Sequence, residues 1–219
     1  MAKKATINRI LPSDAGTRAS ELGFPMAVLT PTIQTWIAGM NSGTDLHAEN
    51  YAGTIAYHSA LYVLRLEGLR FDLEKASRSN VQLCVCAKTR VAVVITQGDC
   101  RTGDMENLHL KPSTKYPRGP KSCEVLEAQL SLFPKLNEEK SSEHEVWVLL
   151  LHMLGNGDTR AELSRPSVIS IPPGSDTGTI LDWHERIFLG TFPATPLVSA
   201  IPGDLTPTEM VDVPLKKRG

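Results

Sequence analysis

Directly behind the apolar run Val91–Ile95 the chain reads Thr96-Gln97-Gly98-Asp99-Cys100-Arg101-Thr102-Gly103-Asp104. Two Gly-Asp pairs five residues apart, at the end of an expected strand, offer carboxylates on backbone that a ligand can approach closely. Asp99 and Asp104 are therefore the candidate oxygen ligands for Mg²⁺, the one cofactor this pattern points to, in a metal-dependent phosphoesterase or nuclease-like enzyme. The competing reading is turn chemistry, because Gly and Asp are the residues that shape tight turns through side-chain bonds to their own backbone. A phosphate-cradling loop is excluded: Gly103 is followed by Asp104 where such a loop has lysine, and no Gly-x-Gly-x-x-Gly is present.

The next stretch changes sign. His109, Lys111, Lys115, Arg118 and Lys121 follow with no acidic residue between them, and Tyr116 lies inside the run. Cations neutralise phosphates and an aromatic ring stacks on an unpaired base, so Lys111, Lys115, Arg118 and Lys121 are the candidate nucleic-acid contacts. Pro112, Pro117 and Pro120 are equally consistent with a stiffened, solvated loop.

Other chemistry-bearing residues fall short of a motif. Cys84-x-Cys86 joins Cys100, Cys123 and His109 as possible zinc ligands, but the spacing matches no zinc ribbon or finger, and core burial is the expectation. Cys100 with His109 as its base is a nucleophile pair only if folding brings them together. His144-Glu145 and His184-Glu185 lack the second histidine of a zinc-protease helix. Glu162 is followed by Leu163, Ser164 and Arg165, so a restriction-type Glu-x-Lys is missing, although Asp99, Asp104 and Glu162 remain a conceivable constellation. His152 and Trp183 read as packing residues with a polar end to satisfy.

The elements that must position these residues follow from periodicity. Apolar and small residues at Ala52, Ile55, Ala56, Ser59, Val63 and Leu66 predict a helix opened by Asp45 and closed by Gly68. Val81–Ala87 and Val91–Thr96 predict a hairpin, and a second one is expected from Glu145–Leu154 and Arg160–Ile171 around Asn156-Gly157. A further helix is expected from Ser122 to Pro134 with Leu126, Gln129, Leu130 and Phe133 inward. Asn137–Glu145 is a polar connection, and Ile180–Leu189 fits either a strand or a short helix. The fold class that follows is α+β: an antiparallel or mixed sheet built from hairpins, with two main helices packed against it. Residues 1–44, rich in glycine and proline, are expected to be an irregular arm; 45–190 a single domain; and 191–219 a proline-rich tail.

Composition bounds the rest. The chain has 219 residues, 41% hydrophobic and 21% charged, with a formal net charge of −1, which excludes global disorder and a long-range pull onto polyanions. The longest apolar run, Val146–Leu151 and on to Leu154, is too short to span a bilayer, so no membrane partner is expected. Lys3 and Lys4 precede no apolar leader, and the four cysteines read as reduced thiols, which makes the cytoplasm the expected compartment.

The run from Gly98-Asp99 through Thr102-Gly103-Asp104 to Pro112-x-Thr114-Lys115-Tyr116-Pro117-Arg118-Gly119-Pro120 resembles stretches in uncharacterised bacterial proteins associated with mobile elements and phage. That resemblance implies a bacterial or phage setting and no particular chemistry. The leading expectation is an accessory protein that binds nucleic acid through residues 109–121. The alternatives are the Asp99/Asp104 metalloenzyme and a non-catalytic module for a protein partner.

Overall fold

Two antiparallel three-stranded runs meet in parallel at the centre of one sheet. The computed structural model describes residues 7–117, 119–127, 144–173, 175 and 177–194. Strands β2 (Leu73–Arg78), β3 (Val81–Cys86) and β4 (Val91–Gln97) form the first run, and β5 (Glu145–Met153), β6 (Thr159–Ser170) and β7 (Thr179–Phe192) the second. Strand β1 (Asn8–Ile10) adds parallel to β7, giving the order β1-β7-β6-β5-β4-β3-β2. The fold is α+β with a mixed sheet.

The central strands are buried on both faces, which is why they read as continuous apolar runs rather than as alternation. Val91, Val93 and Ile95 of β4 and Trp147, Leu149 and Leu151 of β5 point into one core, while Ala92 and Val94, with Val146, Val148 and Leu150, point into another. Three helices cover the first face: α1 (Pro12–Glu21), α2 (Met26–Met40) and α3 (Tyr51–Gly68). The second face carries the short helix α4 (Pro120–Glu127), whose Val125 and Leu126 join the smaller core.

Residues 1–44 are therefore no irregular arm from Asn8 onwards. Pro12 sits in the first turn of α1, where its missing N–H costs nothing. Pro31 stands inside α2, a 15-residue helix whose Val28, Leu29, Ile33, Trp36 and Ile37 are buried. Gly39 lets α2 approach α3: a Cβ there would lie 2.4 Å from Ala56 Cα. The helix expected from Asp45 begins at Tyr51, and its buried positions are Ala56, Ala60, Leu61, Leu64 and Gly68, a stripe displaced from the predicted one.

Both expected hairpins are present, and β2 extends the first. The ambiguous Ile180–Leu189 is strand, paired with β6 in a register broken by several shifts. The helix expected from Ser122 begins at Pro120. Its predicted inward residues Gln129, Leu130 and Phe133 lie outside the described residues, as do most of the polar connection and residues 195–219 of the tail.

Strands β4 and β5 are neighbours and parallel from Val91↔Glu145 to Gln97↔Leu151. A parallel pair cannot be joined by a tight turn, so the chain must leave the end of β4 and cross a sheet face to re-enter at β5. The segment 98–144 is that crossover, and this topology explains its length.

Candidate functional site

The first half of the crossover is fixed by a buried ion pair. Glu162 on β6 and Arg186 on β7 are adjacent across the sheet on the face opposite α1–α3, and both are 0% exposed. Arg186 donates through Nη2 (2.6 Å) and Nε (3.2 Å) to the Glu162 carboxylate, and through Nη1 to the Leu110 carbonyl at 2.8 Å. The Ser164 hydroxyl and the Gly103 N–H complete the shell of Glu162, both at 2.8 Å. Charges this deep are tolerated only when paired and fully hydrogen-bonded, and here the crossover backbone supplies part of that shell.

Gly103 is required at its position. Its φ is +61°, and a Cβ would meet Arg160 Cβ at 2.9 Å and so push the N–H away from Glu162. Further along, Trp183 Nε1 donates to the Pro112 carbonyl (2.9 Å), and the Ser113 hydroxyl donates to the Ile180 carbonyl (3.0 Å). The crossover then runs beside β4: Lys115 N–H donates to the Gln97 carbonyl and Asp99 N–H to the Ser113 carbonyl, each at 2.9 Å.

The two candidate metal ligands have other partners. Asp99 accepts from the Arg101 guanidinium and main-chain N–H. Asp104 accepts from the Asn107 side chain and from the N–H groups of Glu106 and Asn107, and Arg160 lies 3.7 Å away. The Asn107 side-chain bond, aided by these N–H groups and by Arg160, outweighs burial and holds the Asp104 carboxyl below its ordinary range. Glu162, the third member of the conceivable constellation, is committed to Arg186. Among the described residues no three His, Cys, Asp or Glu side chains gather as a metal set.

Of the four candidate nucleic-acid cations, Lys111 is engaged: its ammonium lies 2.6 Å from Asp182. That pair, with the Trp183 N–H, overcomes the upward push of burial and lowers the Asp182 pKa. Lys115 is exposed, with its Nζ 5.4 Å from the centroid of the Tyr116 ring, itself 64% exposed. Lys121 belongs to the first turn of α4, and Arg118 lies outside the described residues.

Cys84 and Cys86 are buried in the helix-side core, Cys123 is buried on α4 across the sheet, and Cys100 is exposed. Burial pushes the Cys84 thiol up to about 11, the state of an inert core cysteine. His152 Nδ1 lies 3.4 Å from the Gly98 carbonyl, consistent with a packing residue at the strand end.

Sequence reasoning set Arg186 beside Trp183 and Glu185 in an amphipathic piece and weighed Glu162 as a nuclease-type or metal-binding carboxylate, without pairing the two. Opposite charges at inward positions of consecutive antiparallel strands were the available signal, but pairing them requires the β6–β7 register, which Ala161↔Gly190 and Glu162↔Phe188 show to be irregular just beside Glu162.

Fold and site together define an α+β protein in which residues 98–117 of the parallel β4–β5 connection are hydrogen-bonded onto one sheet face. No family model, no curated protein and no solved structure matches the chain. No helix among the described residues is long and apolar enough to cross a membrane.

Proposed function

We propose that the protein is a non-catalytic module that binds single-stranded nucleic acid along residues 114–122, in the bacterial or phage setting that the resemblance of this segment implies. Phosphates are taken by Lys115, Arg118 and Lys121, and a base stacks on Tyr116. The observation that carries this reading is the exposed Tyr116 ring beside the Lys115 ammonium, on backbone held by the Lys115–Gln97 bond and by the Thr114 hydroxyl, which donates to the Tyr116 carbonyl at 2.7 Å. A solvated charge run has no need of a fixed aromatic platform, whereas base stacking gains from one because little ordering entropy is then lost on binding. Lys111 plays a structural part through Asp182.

Binding of a single-stranded oligonucleotide, measured at several salt concentrations, tests the proposal. Three phosphate contacts give a log–log salt slope of about −2. Replacing Lys115 and Arg118 by Ala removes about two thirds of that slope, Tyr116→Ala weakens binding by about 1–3 kcal/mol, and Lys111→Ala leaves the slope unchanged. Absence of binding at low salt overturns the reading.

A further inference from the structure

Strands β3 and β4 part company before either ends. Their ladder holds only Cys84↔Val93, Val85↔Ala92 and Cys86↔Val91, yet β3 begins three residues earlier at Val81 and β4 continues to Gln97. Beyond the split the far end of β4 takes a different partner, the crossover at Ser113–Lys115, through the Gly98↔Thr114 bridge and the bonds on either side of it. Between the departing β3 and the arriving crossover lies a cavity of ≈ 410 Å³. Tyr57 reaches it from the helix side of the sheet, and Leu126, Val148 and Ile180 come from the other side, so it is a slot in the sheet rather than a surface dent.

The direction of the main-chain groups follows from strand alternation. Gln97 turns its carbonyl toward the crossover to accept from Lys115, so Ile95, two residues back on the same strand, turns its N–H and C=O to that same side, into the slot. Val93 shares this direction and is paired with Cys84, so Gln82, two residues before Cys84, faces Ile95 across the opening. Gln82 and Ile95 both line the cavity, along with Thr114 and Ser122, and the described lining carries no charged side chain. The cavity thus offers main-chain amide groups between largely neutral walls. Thr114, Gly119 and Ser122 at its rim belong to the segment that bears Lys115, Arg118 and Lys121.

We propose that this slot between β3 and β4 is a nucleobase pocket, in which the base of a nucleotide enters the neutral interior and its phosphate stays outside, towards the exposed Lys115 that follows Thr114 of the lining. A flat heterocycle with a donor–acceptor edge matches two strand edges held apart, and 410 Å³ falls within the range of small-ligand sites. The neutral lining favours an uncharged ring over a carboxylate or a phosphate inside, because nothing in it would compensate a buried charge. The inference deepens the nucleic-acid reading and rests on it for the rim. The same chemistry is carried by a free nucleotide and by an unstacked base of a single strand.

The experiment uses the full chain, its Ser122→Trp variant, which fills the slot from a partly exposed position, and Leu46→Trp, at an exposed position outside the slot, as a control. Each is titrated with nucleoside 5′-monophosphates, with a single-stranded oligonucleotide, and with an abasic oligonucleotide of the same length. The base-bearing oligonucleotide is expected to bind about tenfold more tightly than the abasic one. Ser122→Trp abolishes that preference and leaves the salt slope intact, while Leu46→Trp keeps both. Independently of any variant, a bound mononucleotide shifts the Gln82 and Ile95 amide resonances. Mononucleotide binding without oligonucleotide binding supports the pocket and overturns the single-strand reading. Salt-dependent binding without base preference and without amide shifts overturns the pocket and leaves the single-strand reading standing. No binding of any probe overturns both.

Discussion

The two faces of the sheet are closed in physically different ways. On one, α1, α2 and α3 pack mainly through apolar side chains, with Arg18 of α1 paired to Glu185 and Arg65 of α3 donating to the Ala76 and Leu83 carbonyls at the margin of that core. The other is covered largely by irregular chain, whose carbonyls and N–H groups have no helical partners and must be met one at a time. Arg186 meets Leu110, Trp183 meets Pro112, Ser113 meets Ile180, and Gly103 meets Glu162. The Glu162–Arg186 pair belongs with the loop: through Gly103 and Leu110 it holds a non-regular crossover against a sheet. The same face holds the slot proposed as a binding site, since it is where β3 and β4 separate and a crossover segment replaces a strand.

The largest effect expected is on that pair. Arg186→Met leaves the Glu162 carboxylate buried without its counter-charge and the Leu110 carbonyl without a donor, a loss of about 3–5 kcal/mol. Replacing both, as Glu162→Leu with Arg186→Met, recovers much of it because no lone charge remains. Denaturant unfolding measures both variants, and the Trp183 indole N–H resonance reports whether the crossover stays seated. A single variant costing under about 1 kcal/mol would show that the loop does not depend on the pair. On the helix face, Leu64→Ala removes a fully buried side chain of α3, with an expected cost of about 2–5 kcal/mol. Here the indole resonance stays in place until global unfolding. Should it change first, the two faces are not separable.

The same contrast governs what the sequence made legible. The central strands were read correctly from their β-branched runs, and Asn156-Gly157 marked its turn, because both signals are local. Residues 12–40 were misread because proline and glycine were taken as breakers. Pro12 lies in a first turn, and Gly39 serves a close approach to Ala56, uses that only a helix partner reveals. Tyr51 rather than Asp45 begins α3, since Asn50 is the residue at its N-terminal boundary. The crossover was recognised as the odd segment, and its division into an acidic and a basic half stands in sequence. The anchors that hold it, Glu162, Trp183 and Arg186, are at least 59 residues from their loop partners, and the slot depends on where a ladder stops. Neither property is written in local pattern.

A middle-sized effect is expected at Gly103. Substitution by Ala places a side chain in the left-handed region, at about 1–2 kcal/mol, and brings its Cβ against Arg160. The expected result is a lowered unfolding midpoint together with faster amide exchange at Gly98–Asn107. An Ala variant as stable as the parent would mean that the Gly103–Glu162 bond does not fix the loop.

The smallest effect separates the faces by pH. Asp104 and Asp182, both on the crossover side, have carboxyls held below their ordinary range. For Asp104 the Asn107 bond leads; for Asp182 burial pushes upward but is outweighed by Lys111 and the Trp183 N–H. A carboxylate with a folded pKa below its unfolded value adds stability that is fully present above the unfolded value, near ~3.9 for Asp, and is lost as pH falls through the folded value. Acidification from pH 5 towards 3 should therefore loosen the crossover, and Asp104→Asn with Asp182→Asn should flatten that part of the profile. Asp72, lowered by Lys88 in a pair exposed on both sides, supplies the control, since Asp72→Asn removes a solvent-screened contact of little consequence. Equal flattening by all three substitutions would mean that acid acts on the molecule as a whole, and that the polar seating of the crossover confers no pH dependence of its own.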